Sequence, residues 1–541
     1  MDISTQTSSP ARTREGDGPP VPFRRRPFPG RLRCVLGAAL LAAAAAVPLT
    51  ASGAAAASPL CLSGTLQYDY QSAEAGTAKP TMTKPVRNAN VELWGAEKST
   101  DTPRKLSTDY NYTGVGDGGF NLCHTPVSTT SMSSMWVRFR TESTKLWKVG
   151  DSTGTPYTLD SPVRTNVTAS TSLGNLKPSA DTARAWHAFD TVNLLWWSRN
   201  NPASICWSAH ETDGNACTEL NIRWTSGSTD GPYYDLANTV HLSAADPDSE
   251  HTVLHEAGHF FMHRLYDGWW PTVTGCNPHY VERTSSDTCA WVEGFADSVA
   301  AYLLGDYRYV FPNGTSAGFT YTTNWNTGDR VQGNVDGSLL DLWNHVDGGW
   351  NGTVGVLTGH TASTFAQYFK NLRPVASPPL STTGTALTYL AAHTIDYGPT
   401  IVGDGQYHGL TNGGGLALEH AGQCAATTNV VADVTTYDST HASQRWKADA
   451  NGDGTARIYD SCPNPLTLTA PATAGAQVTL KAFNAADAYQ KWQVTQNGSG
   501  TLTLTNPATG YVLDSTALTP GAAVTVNTAV NATNQNWATL S

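Results

Sequence analysis

Charge is what this chain has least of. Asp, Glu, Lys and Arg make up 14% of its 541 residues, against about 25% in an average globular domain. The net charge is −11, and beyond Arg33 no block of basic residues recurs, which argues against nucleic acid as a partner. There is no C-x-x-C pair, so nothing supports a cysteine-rich metal cluster. Apart from the run Val35 to Leu49, no apolar stretch is a candidate for crossing a bilayer. That run is short and rich in alanine. It follows Arg24, Arg25, Arg26, Arg31 and Arg33 and precedes Ala55-Ala56-Ala57, the pattern of a signal peptide over residues 1–57 rather than a membrane anchor. Pro27, Pro29 and Gly30 break any twin-arginine pattern, and Ser58-Pro59-Leu60 before Cys61 is not a lipoprotein box. The expected location is therefore extracellular, with no membrane association once the leader is removed.

Cys34 lies in the leader. The other eight cysteines fall into neighbouring pairs: Cys61 and Cys123, Cys206 and Cys217, Cys276 and Cys289, Cys424 and Cys462. An even count in an exported chain argues for disulfides. Nearest-neighbour pairing keeps each bridge inside one expected domain.

The chemistry centres on His255-Glu256-Ala257-Gly258-His259. Asp246 is expected to cap a helix here, with Pro247 at its first position and Glu250 in its first turn. Val253, Leu254, Ala257, Phe260, Phe261 and Leu265 continue the apolar pattern. Residues four apart share a helix face, so His255 and His259 can point ring nitrogens at one ion. Glu256 lies beside them as a general base toward water on that ion. A second helical pattern starts at Trp291, with Glu293 and Asp297 four apart on one side. Glu293 supplies a third ligand for a catalytic Zn2+, and Asp297 can hold a ligating histidine by its other nitrogen. His263, His279 and Glu282 are the other third-ligand candidates.

Motif, order, helix context and the trailing acid resemble the gluzincin metallopeptidases, whose pattern is H-E-x-x-H followed by E-x-x-x-D on a later helix. The metzincin alternative requires Gly and His at offsets that here hold Met262 and Leu265. The resemblance implies zinc held by His255, His259 and Glu293, Glu256 as the base, and a sheet edge that takes an extended peptide substrate. Strand-like Asn238–Leu242, which carries His241, precedes the first helix. A donor for the developing oxyanion is also needed. His345 ranks first for it, ahead of Tyr309, Tyr307 and Arg330, and so counts with Glu256 as a catalytic candidate. Gly333 to His345 reads as a loop entering a helix. No segment resembles the G-x-M-E-N type that anchors a substrate amine, which favours an endopeptidase.

Ahead of this unit, residues 58–175 read as short alternating strands. Gly64–Tyr68, Ala89–Trp94, Gly119–Leu122 and Met135–Phe139 resemble a transthyretin-like or carboxypeptidase-regulatory-like β-sandwich. The peptidase unit is expected over 179–398, opening on an amphipathic helix at Ser179. A Gly-rich linker follows over 399–413. Over 414–541, Gln444-Arg445-Trp446, Gln490-Lys491-Trp492 and Gln535-Asn536-Trp537 recur at near-equal spacing. They resemble the three lobes of a ricin-B-type β-trefoil. For sugar binding, an acid and an aromatic platform are needed in one lobe. The pairs at the expected places are Ala426 with Tyr437, Asp460 with Lys481, and Asp514 with Asn527, and none is complete. Asp449 to Gly454 resembles a calcium loop but lacks its distal Glu, and reads as a hairpin.

The expected fold class is multidomain: an all-β sandwich, an α+β zincin-like metallopeptidase domain, and an all-β trefoil. The expected function is a secreted zinc endopeptidase acting on proteins or peptides, glycosylated ones included, with the trefoil as a carbohydrate- or surface-targeting module. The alternative is an exported carbohydrate-binding protein with an inactive zincin domain.

Overall fold

The computed structural model describes residues 57–540, apart from 109–110, 212–216, 383–384, 398–400, 426–429, 498–500 and 531. The expected leader, with Cys34, falls outside the described residues except for Ala57. Ala426 falls outside them too.

The alternating residues of Leu60–Gln71 bury Leu60, Leu62, Leu66, Tyr68 and Tyr70, as a strand with one face on a core requires. This strand pairs antiparallel with Thr81–Pro85 and Gly119–His124, and parallel with Thr171–Leu176. Cys61 and Cys123 stand opposite each other in that ladder and are joined. A second sheet is built around Met132–Arg140, paired with Asn90–Ala96, Thr158–Asp160 and Arg164–Val167. The other three cysteine pairs also form as nearest neighbours.

Sheet pairing crosses the expected boundary at 175–179. Trp147–Gly150 lies inside the first expected domain, yet it pairs in parallel with Leu220–Trp224. The resulting five-stranded sheet runs Tyr233–Tyr234, Thr239–Leu242, Leu220–Trp224, Trp147–Gly150, Glu142–Ser143. Trp147 explains the arrangement. Its ring is fully buried against Phe189 and Trp207, and its indole N–H donates to the Phe189 carbonyl at 3.0 Å. One hydrophobic core accordingly runs from Leu60 to Ile395. A second core, from Ile401 to Trp537, fills a twelve-stranded, trefoil-like C-terminal region.

Helix α1 (Ala180–Ser198) packs on the first strand. Helix α2 (Glu250–Leu265) carries the histidine motif. Its cap is Ser249, not Asp246: the Ser249 hydroxyl accepts from the Thr252 N–H at 3.0 Å. Asp246, Pro247 and Asp248 form a short 3-10 turn before it. The first sheet region holds this helix start. Glu74 accepts from the free N–H groups of Glu250 and His251 at 2.6 and 3.3 Å, as the positive end of a helix favours. Lys79 and Arg184 both pair with buried Asp248, and Lys84 pairs with Glu250 at 2.6 Å.

Burial alone would push the Glu250 carboxyl up, but His187 and Lys84 beside it outweigh that and hold it at about 2. A carboxylate depressed in the folded state gives stability that is complete above its unfolded value, about 4.5. That stability is lost as pH falls through the folded value. Glu250→Gln should therefore flatten the loss of stability between pH 4.5 and 2, read as urea midpoint against pH. An unchanged slope would exclude this pair as a contributor.

Helix α3 (Asp287–Leu304) starts at Ser286, whose hydroxyl accepts from Cys289 N–H, and ends at Gly305 in the left-handed region. It lies tightly against α2. A Cβ on Gly258 would come within 3.2 Å of the Ala296 backbone, so glycine inside the motif lets the two helices approach. Helix α4 (Gln332–Asp341) packs on the other side of α3. Gly333 to His345, expected as a loop entering a helix, is helical from its first residue, and α4 continues into a π-helical turn, Leu342–Val346.

Candidate metal centre

Close packing of α2 on α3 brings three donor atoms together. His255 Nε2 and His259 Nε2 lie 3.2 Å apart. Glu293 Oε2 lies 3.1 Å from the first and 3.3 Å from the second. Hydrogen bonding does not account for such a closed triangle. A single proton satisfies one edge and leaves lone pairs facing each other on the rest. Zinc does account for it. Donors about 2.0–2.1 Å from a tetrahedral ion lie about 3.3 Å from one another. The donor set of two imidazoles and one carboxylate is of the kind zinc takes, so the residues present fit the ion.

The surroundings are anionic. Glu256 brings a carboxylate oxygen within 4.8 Å of both histidine nitrogens, and all three residues are buried. Asp297 is fully buried and lies 2.6 Å from His255 Nδ1. Burial works against a charge on His255, but Asp297 and Glu293 outweigh it and push the imidazole well above its ordinary value. Burial likewise works against a charge on Glu293, and the imidazoles of His259, His255 and His279 hold it well below. A field that keeps protons on imidazoles also attracts a divalent cation to the same place. The Glu256 carboxyl is raised by burial, against the pull of His255 and His259.

Two further residues join the cluster. Gln332, at the start of α4, donates from Nε2 to Asp297 Oδ2 at 2.5 Å. Its Oε1 meets His279 Nδ1 at 2.9 Å, and His279 Nε2 stands 3.8 Å from Glu293 Oε2. His279 was open as a ligand candidate from sequence; Gln332 was not, because no local pattern marks a residue that acts from a third helix.

The other candidates are placed elsewhere. His263 is buried one turn beyond the motif, donating from Nε2 to the Gly268 carbonyl and accepting from the Tyr234 hydroxyl at 2.8 Å each. Glu282 is half-buried beside Arg283. His241 stacks on Tyr233 and meets Asp230 at 2.9 Å. His345 is not brought to the cluster: it is half-exposed, stacked on Tyr389 at 5.0 Å and near Asp341. It occupies the π-helical turn, beyond the end of α4. Tyr307 is exposed and accepts from Asn344. Arg330 donates to the Ser285 carbonyl. Tyr309 is the oxyanion candidate that touches a metal-site histidine, its ring edge-on to His255 at 5.7 Å. Its hydroxyl lies 3.3 Å from Thr252 Oγ1.

In the C-terminal region the three Trp residues set the register. Trp446, Trp492 and Trp537 each donate an indole N–H to a leucine carbonyl, Leu418, Leu468 and Leu513 respectively. The next residues are Glu419, Thr469 and Asp514, and Gln444, Gln490 and Gln535 reach them at 3.4, 3.3 and 2.9 Å. These three are the equivalent positions. Asp460, expected at the acid place in the second lobe, is not in that register. Asp460 is instead a buried structural acid, bonded to His420 and to the N–H groups of Cys462 and Leu466. Cys462 beside it is tied to Cys424. Asp514 accepts from Asn527, Asn534 and Gln535.

Residues 61–185 match the family model of the mycolysin middle domain, and residues 199–394 that of the mycolysin C-terminal domain. Residues 411–537 match the ricin-type beta-trefoil lectin domain. The chain is thus similar to two mycolysin domains followed by a ricin-type trefoil. The mycolysin domains point to a peptidase, and the trefoil to a lectin-type module joined to it. Similar solved structures include the designed three-fold symmetric protein ThreeFoil, at 21% identity and TM-score 0.24, over 25% of this chain and 98% of that one. Another is 1,3Gal43A, an exo-beta-1,3-galactanase from Clostridium thermocellum, at 20% and 0.24, over 27% and 31%. The agglutinin from Abrus precatorius is similar at 22% and 0.21, over 25% and 48%. No curated protein matches the chain. Among the described residues no helix is long and apolar enough to cross a membrane.

Proposed function

We propose that this mycolysin-type chain is a secreted zinc endopeptidase. The observation that carries the reading is the triangle of His255 Nε2, His259 Nε2 and Glu293 Oε2, with edges of 3.1 to 3.3 Å. Zinc held there would polarise the scissile carbonyl and lower the pKa of water. Glu256 takes the proton from the attacking water on its carboxylate and passes it to the leaving amine. Asp297 accepts the His255 Nδ1–H, which turns Nε2 and its lone pair toward the ion. Tyr233–Tyr234 is the edge strand of the five-stranded sheet. It lies against α2, its Tyr234 hydroxyl bonded to His263. An extended peptide adds to this edge by main-chain hydrogen bonds, which suits cleavage tolerant of sequence. Secretion is supported by the leader-like residues 1–57 and by four disulfides. The trefoil keeps an acid at two of its three equivalent positions, Glu419 and Asp514, and would hold the enzyme on glycosylated substrates.

Tyr309, rather than His345, is the donor for the oxyanion. Burial pushes its phenol well above its ordinary value, so it stays protonated and able to donate. Tyr309→Phe should lower kcat by about 10²–10³-fold, while His345→Ala should change it less than about threefold. The reverse ranking in steady-state kinetics would restore His345. Hydrolysis of an unfolded protein should stop on dialysis against a chelator and return with one equivalent of zinc. Full activity in the metal-free protein would sink the zinc reading.

A further inference from the structure

Asp297 orients two histidines at once. Its Oδ1 accepts from His255 Nδ1–H, so Nε2 is the ring nitrogen turned toward Glu293. Its Oδ2 accepts from the Gln332 amide nitrogen at 2.5 Å. An amide whose NH2 faces a carboxylate must turn its oxygen the other way, and that oxygen only accepts. The group against it is His279 Nδ1 at 2.9 Å, so Nδ1 donates there and Nε2 is the ring nitrogen left to face the cluster. This nitrogen stands 3.8 Å from Glu293 Oε2. The separation is too long for a hydrogen bond and leaves room for an ion that both atoms can reach. Three atoms, His255 Nε2, His259 Nε2 and His279 Nε2, thus surround the same carboxylate oxygen. His279 stands on the connection between α2 and α3, where the described residues form neither helix nor strand. Its side chain is 30% exposed, so it reaches both solvent and the cluster.

We infer that His279 is a fourth donor to the ion held by His255, His259 and Glu293 in the substrate-free protein. This rests on the zinc reading above. A fourth protein donor would fill the position that water takes in a working catalytic site. Gln332 is the positioning residue, acting through the hydrogen bond that fixes the His279 tautomer.

Cobalt tests this without reference to activity. The metal-free full chain is titrated with Co2+ and its visible d–d absorption recorded, beside His279→Ala, Gln332→Leu and His255→Ala. Loss of a nitrogen donor changes the ligand field, so His279→Ala should shift the bands and weaken Co2+ binding by about tenfold or more. Gln332→Leu leaves the donor in place but frees its ring, and should move the same bands by less. A wild-type spectrum in His279→Ala overturns the inference. The His255→Ala protein separates the two claims. If it binds Co2+ as the wild type does, the metal site itself is wrong. If it loses Co2+ while His279→Ala keeps the wild-type spectrum, the site stands and only the fourth donor falls.

Discussion

Glu256→Gln should lower kcat/KM by about 10²–10⁴-fold, the usual worth of a positioned general base, while zinc stays bound. The amide keeps the size of the side chain but cannot take a proton. Glu256 belongs to the buried cluster with His255 and His259, yet the triangle of ligand atoms does not use it. Metal content and rate are therefore separable in this variant. Equal zinc with a collapsed rate is the expected pair of results. Equal zinc with an unchanged rate would remove Glu256 from the chemistry.

The largest effect on stability is expected outside that cluster. Arg373 and Asp347 form a two-pronged ion pair, with both contacts at 2.7 Å, and their side chains are 0% and 1% exposed. Arg373 also donates to the Ser381 carbonyl and to the Tyr368 hydroxyl. Arg373→Ala leaves the Asp347 carboxylate buried without its partner, which should cost about 3–5 kcal/mol. Replacing both, as Arg373→Met with Asp347→Leu, removes the orphaned charge and should cost much less. Urea unfolding of the three proteins checks this. Equal losses for the single and double variants would show that the pair's geometry, not the stranded charge, sets the penalty.

What the sequence disclosed follows from how local each signal is. The helical spacing of His255 with His259, and of Glu293 with Asp297, is local, and helix geometry fixes their faces. The structure brings those four together. The helix cap was misplaced by three residues because Asp246 and Pro247 also suit a 3-10 turn, and Ser249 takes the cap that follows it. Gln332 lies 35 residues from Asp297 and 53 from His279. Nothing within one turn or one strand marks such a relay. Trp147–Gly150 alternates like any strand, and only its distant partner, Leu220–Trp224, assigns it to the sheet beside α2. His345 was ranked by residue type and position in the chain, and the π-helical turn places it against Tyr389 instead. In the trefoil the Q-x-W triplets were visible, but the register of the acid positions needs the indole-to-leucine hydrogen bonds, which place Glu419, Thr469 and Asp514 together.

The most direct measurement is an anomalous difference map collected at the zinc absorption edge from crystals of the zinc-loaded protein. The zinc reading requires one strong peak about 2.0–2.2 Å from His255 Nε2, His259 Nε2 and Glu293 Oε2. A peak elsewhere, or none at this triangle in protein that still cleaves peptides, would contradict it.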